Sequence, residues 1–248
     1  MGLKDMVAGL FDKEARDERA FDKLVGQLVS KNRQHEERMA SIEALATMNS
    51  ARANAALFRR WDMQGDKARE DAAEKEYLAE VLVAKGDTIV PVLREHNDRS
   101  INITWPIQIL QKVAGDDAVV EELLRVLTME LERVASFKPE KKVRALQLLA
   151  DHQDDRIEAL ALRALGDFDP NVRFEAAQLL RGHQSGAVRD ALIDRLNHEE
   201  EDSGRIRDTL LDLLAEGGFA VTDRKADLEE HLGQQWRIGP KDSLIPAS

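Results

Sequence analysis

The sequence predicts an all-α protein, an α–α superhelix of about five to six helical hairpins. Three observations carry that prediction. Gly and Pro number only 14 and 6 in 248 residues and aromatics make up 4%, while Ala, Leu, Glu, Arg and Asp dominate, a balance that favours helix over strand. Apolar residues recur at helical spacing in short segments, each closed by a Gly, Asp, Asn or Pro break. One equivalent apolar position per unit, at Leu45, Leu82, Leu110, Leu149, Leu180 and Leu214, gives steps of 37, 28, 39, 31 and 34. Steps averaging about 34 residues suit two amphipathic helices and two turns, a hairpin that buries its apolar face only by stacking on its neighbours.

Taken in order, the first unit has a helix from Arg38 to Met48 (Met39, Ile42, Leu45), a break at Asn49-Ser50, and a return helix from Ala51 to Trp61. The second runs Glu74 to Lys85 (Tyr77, Leu78, Val81, Leu82), stops at Gly86-Asp87, and returns over Thr88 to His96. The third opens at Thr104, a helix-capping residue with Pro106 in the first turn, breaks at Gly115-Asp116, and continues over Val119 to Leu131. A fourth pair spans Pro139 to Ala150 and Arg156 to Leu165, and a fifth Val172 to Leu180 and Val188 to Leu196. A sixth unit begins at Arg205 and ends at Gly217-Gly218.

Outside the repeats, residues 1–35 read as N-terminal capping helices, with a partner-docking or membrane-surface helix as the alternative: Leu3, Met6, Val7, Leu10 and Phe11 share one face, and Phe21, Leu24, Val25, Leu28 and Val29 another. The mixed-charge run Asp12 to Arg19 separates the two. The segment 36–216 holds the repeats. Residues 217–248 read as a last helix over Leu228 to Ile238 and an extended tail with Pro240 and Pro246.

The run Asp169-Pro170-Asn171-Val172-Arg173-Phe174-Glu175-Ala176-Ala177, followed by Leu179-Leu180, resembles the HEAT-repeat consensus, and the short, irregular units are similar to small bacterial HEAT-like repeats. Weaker echoes stand at Lys142-Val143-Arg144 and at Arg205-Ile206-Arg207. The resemblance implies that Asp169 caps a helix with Pro170 in its first turn and Val172 inward. It implies also that Arg173, Arg144 and Arg207 ladder to the Asp of a neighbouring repeat.

Composition limits function. The formal charge of −11 weighs against a dedicated nucleic-acid binder, whose affinity comes largely from Lys and Arg on phosphates. No apolar run approaches the roughly 18–20 residues that cross a bilayer, and the start lacks a secretory h-region, so neither a membrane nor secretion is expected and the cytoplasm is the simplest address. Without cysteine there are no disulfides, thiolate metal sites or Cys nucleophiles.

Phosphate loops, Gly-x-Ser-x-Gly elbows and His-Glu-x-x-His helices are absent. His35-Glu36-Glu37 and His198-Glu199-Glu200-Glu201-Asp202 set His beside carboxylates, yet adjacent helical residues diverge by about 100° and lack the i, i+4 spacing of paired ligands. The expectation is a non-enzymatic chain with no metal and no cofactor.

The resemblance further implies that the second helices line a concave groove. Those helices carry Arg59, Arg60 and Trp61, then Arg94 and His96, then Arg125, Arg163 and Arg195. A file of guanidinium groups can take carboxylates bidentately, with Trp61 as an apolar anchor. The function expected is a cytoplasmic bacterial interaction scaffold holding an acidic segment of a protein partner. The alternative, from HEAT-like phycobilin lyases, is a lyase-type enzyme or chaperone of a cofactor-bearing protein, which a pocket gathering Trp61, Tyr77 and Trp105 would favour. Nucleic-acid binding along the groove is a third reading.

Overall fold

The computed structural model describes the backbone of residues 3–133 and 139–247, with side chains from residue 13 onward within those ranges. The fold is all-α, with twelve α-helices and one two-stranded sheet among the described residues. It comprises two compact units, Met1–Val119 and Val120–Ser248.

The first unit holds α1 (Leu3–Leu28), α2 (His35–Thr47), α3 (Ala51–Phe58) extended by a 3-10 turn (Arg59–Asp62), α4 (Ala68–Val83), and α5 (Val90–Arg99) after a second 3-10 turn at Gly86–Ile89. Helix α2 packs on α1, α3 and α4, and α3 packs on α5, so α2 and α4 form one row and α3 and α5 another. Helix α6 (Thr104–Glu132) begins here. It is broken at Gly115, whose φ of 81° and ψ of −176° interrupt the helical path at the expected place.

The second unit contains the rest of α6, then α7 (Pro139–Leu149), α8 (Asp155–Ala164), α9 (Pro170–Leu179), α10 (Gly186–Leu196), α11 (Gly204–Glu216) and the short α12 (Lys225–Glu229). Helix α9 lies between α7 and α11, with α8 and α10 side by side behind them. Leucines fill the seams: Leu146, Leu149, Leu180, Leu210 and Leu214 are buried, as are Leu45, Leu57, Leu78 and Leu82 in the first unit. Side-chain caps start five of these helices, α3, α8, α9, α10 and α11. Ser50 accepts from Ala53 N at 3.1 Å, Ser185 from Val188 N at 3.1 Å, and Asp154 from Arg156 N at 2.9 Å.

The Asp-Pro segment behaves as its resemblance implies. Asp169 accepts from the amides of Asn171 (2.8 Å) and Val172 (3.2 Å), Pro170 occupies the first turn, and Val172 is fully buried. Arg173, also buried, departs from the expected Asp ladder: it binds Glu201 at 2.8 and 3.1 Å and the carbonyls of Asp167 and Phe168 at 3.0 and 2.8 Å. The echo in α7 is displaced. Lys142, not Arg144, stands fourth in its helix as Arg173 does, and buried Lys142 reaches Asp167 at 2.6 Å while Arg144 is exposed. Arg207, fourth in α11, reaches back to the carbonyl of Glu201.

Three expectations are corrected. Helix α4 begins at Ala68 rather than Glu74, because its inward face carries Asp71 and Glu74 ahead of Leu78 and Leu82, and charged residues there hide the apolar period. Helix α1 runs unbroken through the charged stretch Asp12 to Arg19, whose Lys, Glu and Arg are good helix formers; the side chains of Leu3, Met6, Val7, Leu10 and Phe11 lie outside the described residues. The last helix stops at Glu229. Beyond it Gly233 turns left-handed (φ 56°), and β1 (Trp236–Ile238) pairs antiparallel with β2 (Leu244–Pro246). Buried Leu244 and the contact of β2 with α11 stabilise the hairpin there, an interaction that no local periodicity could report.

Among the described residues, no helix is long and apolar enough to cross a membrane.

Candidate partner-binding groove

The arginines expected to form one file have different fates. Arg60 has no exposed surface: Nε donates to Glu74 at 2.9 Å, and one terminal nitrogen bonds both Asp71 (2.6 Å) and Glu74 (2.7 Å). Arg195 is buried on Glu201 at 2.7 Å. Trp61 is buried between Phe58 (ring centroids 5.3 Å, edge-on) and Trp105 (6.1 Å, stacked). These three are therefore structural contacts rather than surface anchors. Arg125 is half-buried and bidentate on Glu122 of its own helix, and Arg94 is half-buried.

Arg163 is exposed on α8 and Arg59 on the 3-10 turn after α3, and neither has an ion pair or side-chain hydrogen bond among the described residues. Successive side chains on a 3-10 turn diverge by about 120°. Anchoring Arg60 and Trp61 inward therefore turns Arg59 outward.

Arg59 opens onto a groove of about 520 Å³ bounded by α1, α3 and α5. Phe21, Val25, Ala55, Ala56 and Val92 give it an apolar lining. His96 lies on its wall, half-buried, with its ring 5.1 Å from Phe58 and Nε2 3.4 Å from the carbonyl of Asn102. Most of the bordering charges are already matched. Arg52 stacks on Phe21 with its guanidinium carbon 4.0 Å from the ring centroid and pairs with Glu18, while Asp22 is 3.9 Å away. Arg99 holds Glu95 at 2.6 Å, and Asp62 accepts from Ser100 Oγ at 2.5 Å. Neither Arg59 nor Asp62, which border the same groove, has an ion pair among the described residues.

Behind the groove lies an ionic cluster. Fully buried Glu74 accepts from Arg38 (2.8 to 3.0 Å), Arg60 and His35 Nδ1 (2.7 Å), while Asp71 holds Arg60, Lys75 (2.7 Å) and the amide of Gly65 (2.8 Å). Burial alone pushes the Glu74 carboxyl up, and the bonds from Arg38, His35 and Arg60 overcome this and hold it below 4.5. Asp71 is held down likewise, against burial, by Lys75, Arg60 and Gly65.

The sequence singles out Arg59 and His96, and for α1 it leaves a cap and a partner-docking helix both open. The spacing of Phe21 and Val25 was legible, yet it fits a cap as well as a groove wall. Nor could the sequence mark Glu74 as the partner of Arg38 and Arg60. Among the described residues no cluster of three or more His, Asp or Glu could hold a metal ion. No protein-family model, curated protein or solved structure matches the chain.

Proposed function

We propose that this chain is a non-enzymatic interaction scaffold, built of HEAT-like helical hairpins, whose groove between α1, α3 and α5 holds a segment of a protein partner. The observation that carries the reading is Arg59: an exposed guanidinium with no ion pair among the described residues, beside an apolar floor and held outward by a neighbour locked on Glu74. Such a site suits a partner carboxylate flanked by apolar side chains, because Arg can take it bidentately while half-buried Phe21 and exposed Ala55 lose water. The cytoplasmic address and the bacterial kinship belong to the same proposal. The lyase-type alternative would use an aromatic pocket, whereas Trp61 is consumed in packing.

A photo-crosslinking residue at exposed Ala55, in the groove, should capture a discrete partner protein in the native cell, and the same residue at exposed Arg144 should not. Equal capture from both positions, or from Arg144 alone, would overturn the groove assignment.

A further inference from the structure

The groove continues past both of its central arginines. Beyond Arg52 and Phe21 it passes into a trough bordered by Glu14, Asp17, Glu18 and Met48. Past Arg59 and Asp62 it runs on along Val29, Lys31 and Met63. Shared residues make these one channel along the parallel course of α1 and α3. At about 1.5 Å per α-helical and 2.0 Å per 3-10 residue, α3 and its following turn span about 20 Å, the length of a helix of about 13 residues.

The charges without an ion pair among the described residues differ between the two ends of this channel. Glu14 and Asp17 are exposed at the Met48 end, while Arg59 and Lys31 are exposed at the Met63 end, where Asp62, bonded to Ser100 and Asn102, offsets one of the two cations. The channel is thus acidic where α3 starts, net basic where α3 ends, and apolar between.

We infer that the occupant, if the proposed groove function holds, is an amphipathic helix of the partner protein lying antiparallel to α1 and α3. Its acidic first turn meets Arg59 and Lys31, its basic last turn meets Glu14 and Asp17, and its apolar stripe covers Phe21, Val25 and Ala55. Three separate effects agree on this direction. Acidic first turns and basic last turns stabilise any helix through its own dipole, so the charge order is one that helices commonly have. The ends of that order match the ends of the channel. Antiparallel placement also sets the positive end of the occupant's dipole beside the negative end of α3.

The test is a display library of 14-residue helical peptides with a constant Leu stripe and first and last turns randomised between Glu and Lys. Peptides are selected on the full chain, and those that also bind Ala55→Arg, which fills the groove from an exposed position, are discarded. The remainder should favour acidic-first, basic-last sequences at least about tenfold over the swapped order, since several surface pairs change sign together. The variant Glu14→Lys/Asp17→Lys/Lys31→Glu/Arg59→Glu, with only exposed positions altered, should invert that preference, and each end's double variant should weaken it. Groove-dependent peptides with no end preference, or the opposite one, would overturn the direction while leaving the groove standing. A selection yielding no peptide sensitive to Ala55→Arg would overturn the groove function and the direction with it.

Discussion

Arg38 and Arg173 are each the fourth residue of their helix, and each reaches forward to a buried glutamate of the following hairpin, Glu74 and Glu201. Each also reaches back to a carbonyl five residues earlier, Arg33 and Phe168. A second arginine completes both clamps at the same distance along the chain: Arg60 follows Arg38, and Arg195 follows Arg173, by 22 residues. One device therefore ties successive hairpins together in each unit. In the first unit it also sets the 3-10 turn that presents Arg59.

Removing the shared acid should be costly. Glu74→Ala or Glu201→Ala deprives two buried guanidinium groups of their shared carboxylate, and the expected loss is about 3–5 kcal/mol by urea unfolding. Arg99→Ala, which breaks only the exposed pair with Glu95, should cost about 1 kcal/mol or less. Equal losses would show that the clamps do not tie the hairpins.

The same acids fix the pH response. In Glu201, burial pushes the carboxyl up and the bonds from Arg173, Arg195 and the Ser203 amide bring it below 4.5, as with Glu74. A folded-state value lower than the unfolded one contributes stability that is present above the unfolded value and is lost as pH falls through the folded one. Unfolding midpoints should therefore hold steady above about pH 5 and fall from about pH 4.5 downward. Glu74→Gln, less stable at neutral pH, should show a shallower acid limb; an unchanged slope would contradict this origin.

Gly115 breaks α6 with a φ of 81°. Its missing Cβ would meet nothing within 4 Å, so only backbone strain opposes a side chain there. Gly115→Ala and Gly115→Asn should each lower stability by about 1–3 kcal/mol, because φ 81° with ψ −176° lies in the extended positive-φ region that is essentially restricted to Gly, outside the left-handed helical region that Asn tolerates. Thermal or urea unfolding of the two variants decides it.

Much of this fold was legible in the sequence because hairpin boundaries are set locally. Ser50, Gly115 and Asp169 do at the chain level what their types announce, whereas Thr104, expected to cap α6, is the first residue of that helix. What stayed hidden depends on contacts between distant residues. Asp71 and Glu74 face inward only because Arg38 and Arg60 meet them, so the start of α4 lacked its apolar signature. Similarly, the strand at Trp236–Ile238 exists through pairing with Leu244–Pro246, and the three residues Trp236, Arg237 and Ile238 could by their types equally continue a helix. For the groove, residue type placed Arg59, Arg60 and Trp61 together, and only packing separated the outward Arg59 from its two buried neighbours.

The central claim, that Arg59 is the charge a partner reads, is tested most directly by crosslinking from Ala55 in two backgrounds, Arg59→Glu and Arg163→Glu. Both substitutions are exposed and break no described ion pair, so both proteins should fold. The account predicts that partner capture falls at least about tenfold with Arg59→Glu, as for loss and reversal of a charged interface contact, and is unchanged with Arg163→Glu. Full capture by folded Arg59→Glu, or an equal loss in both, would contradict it.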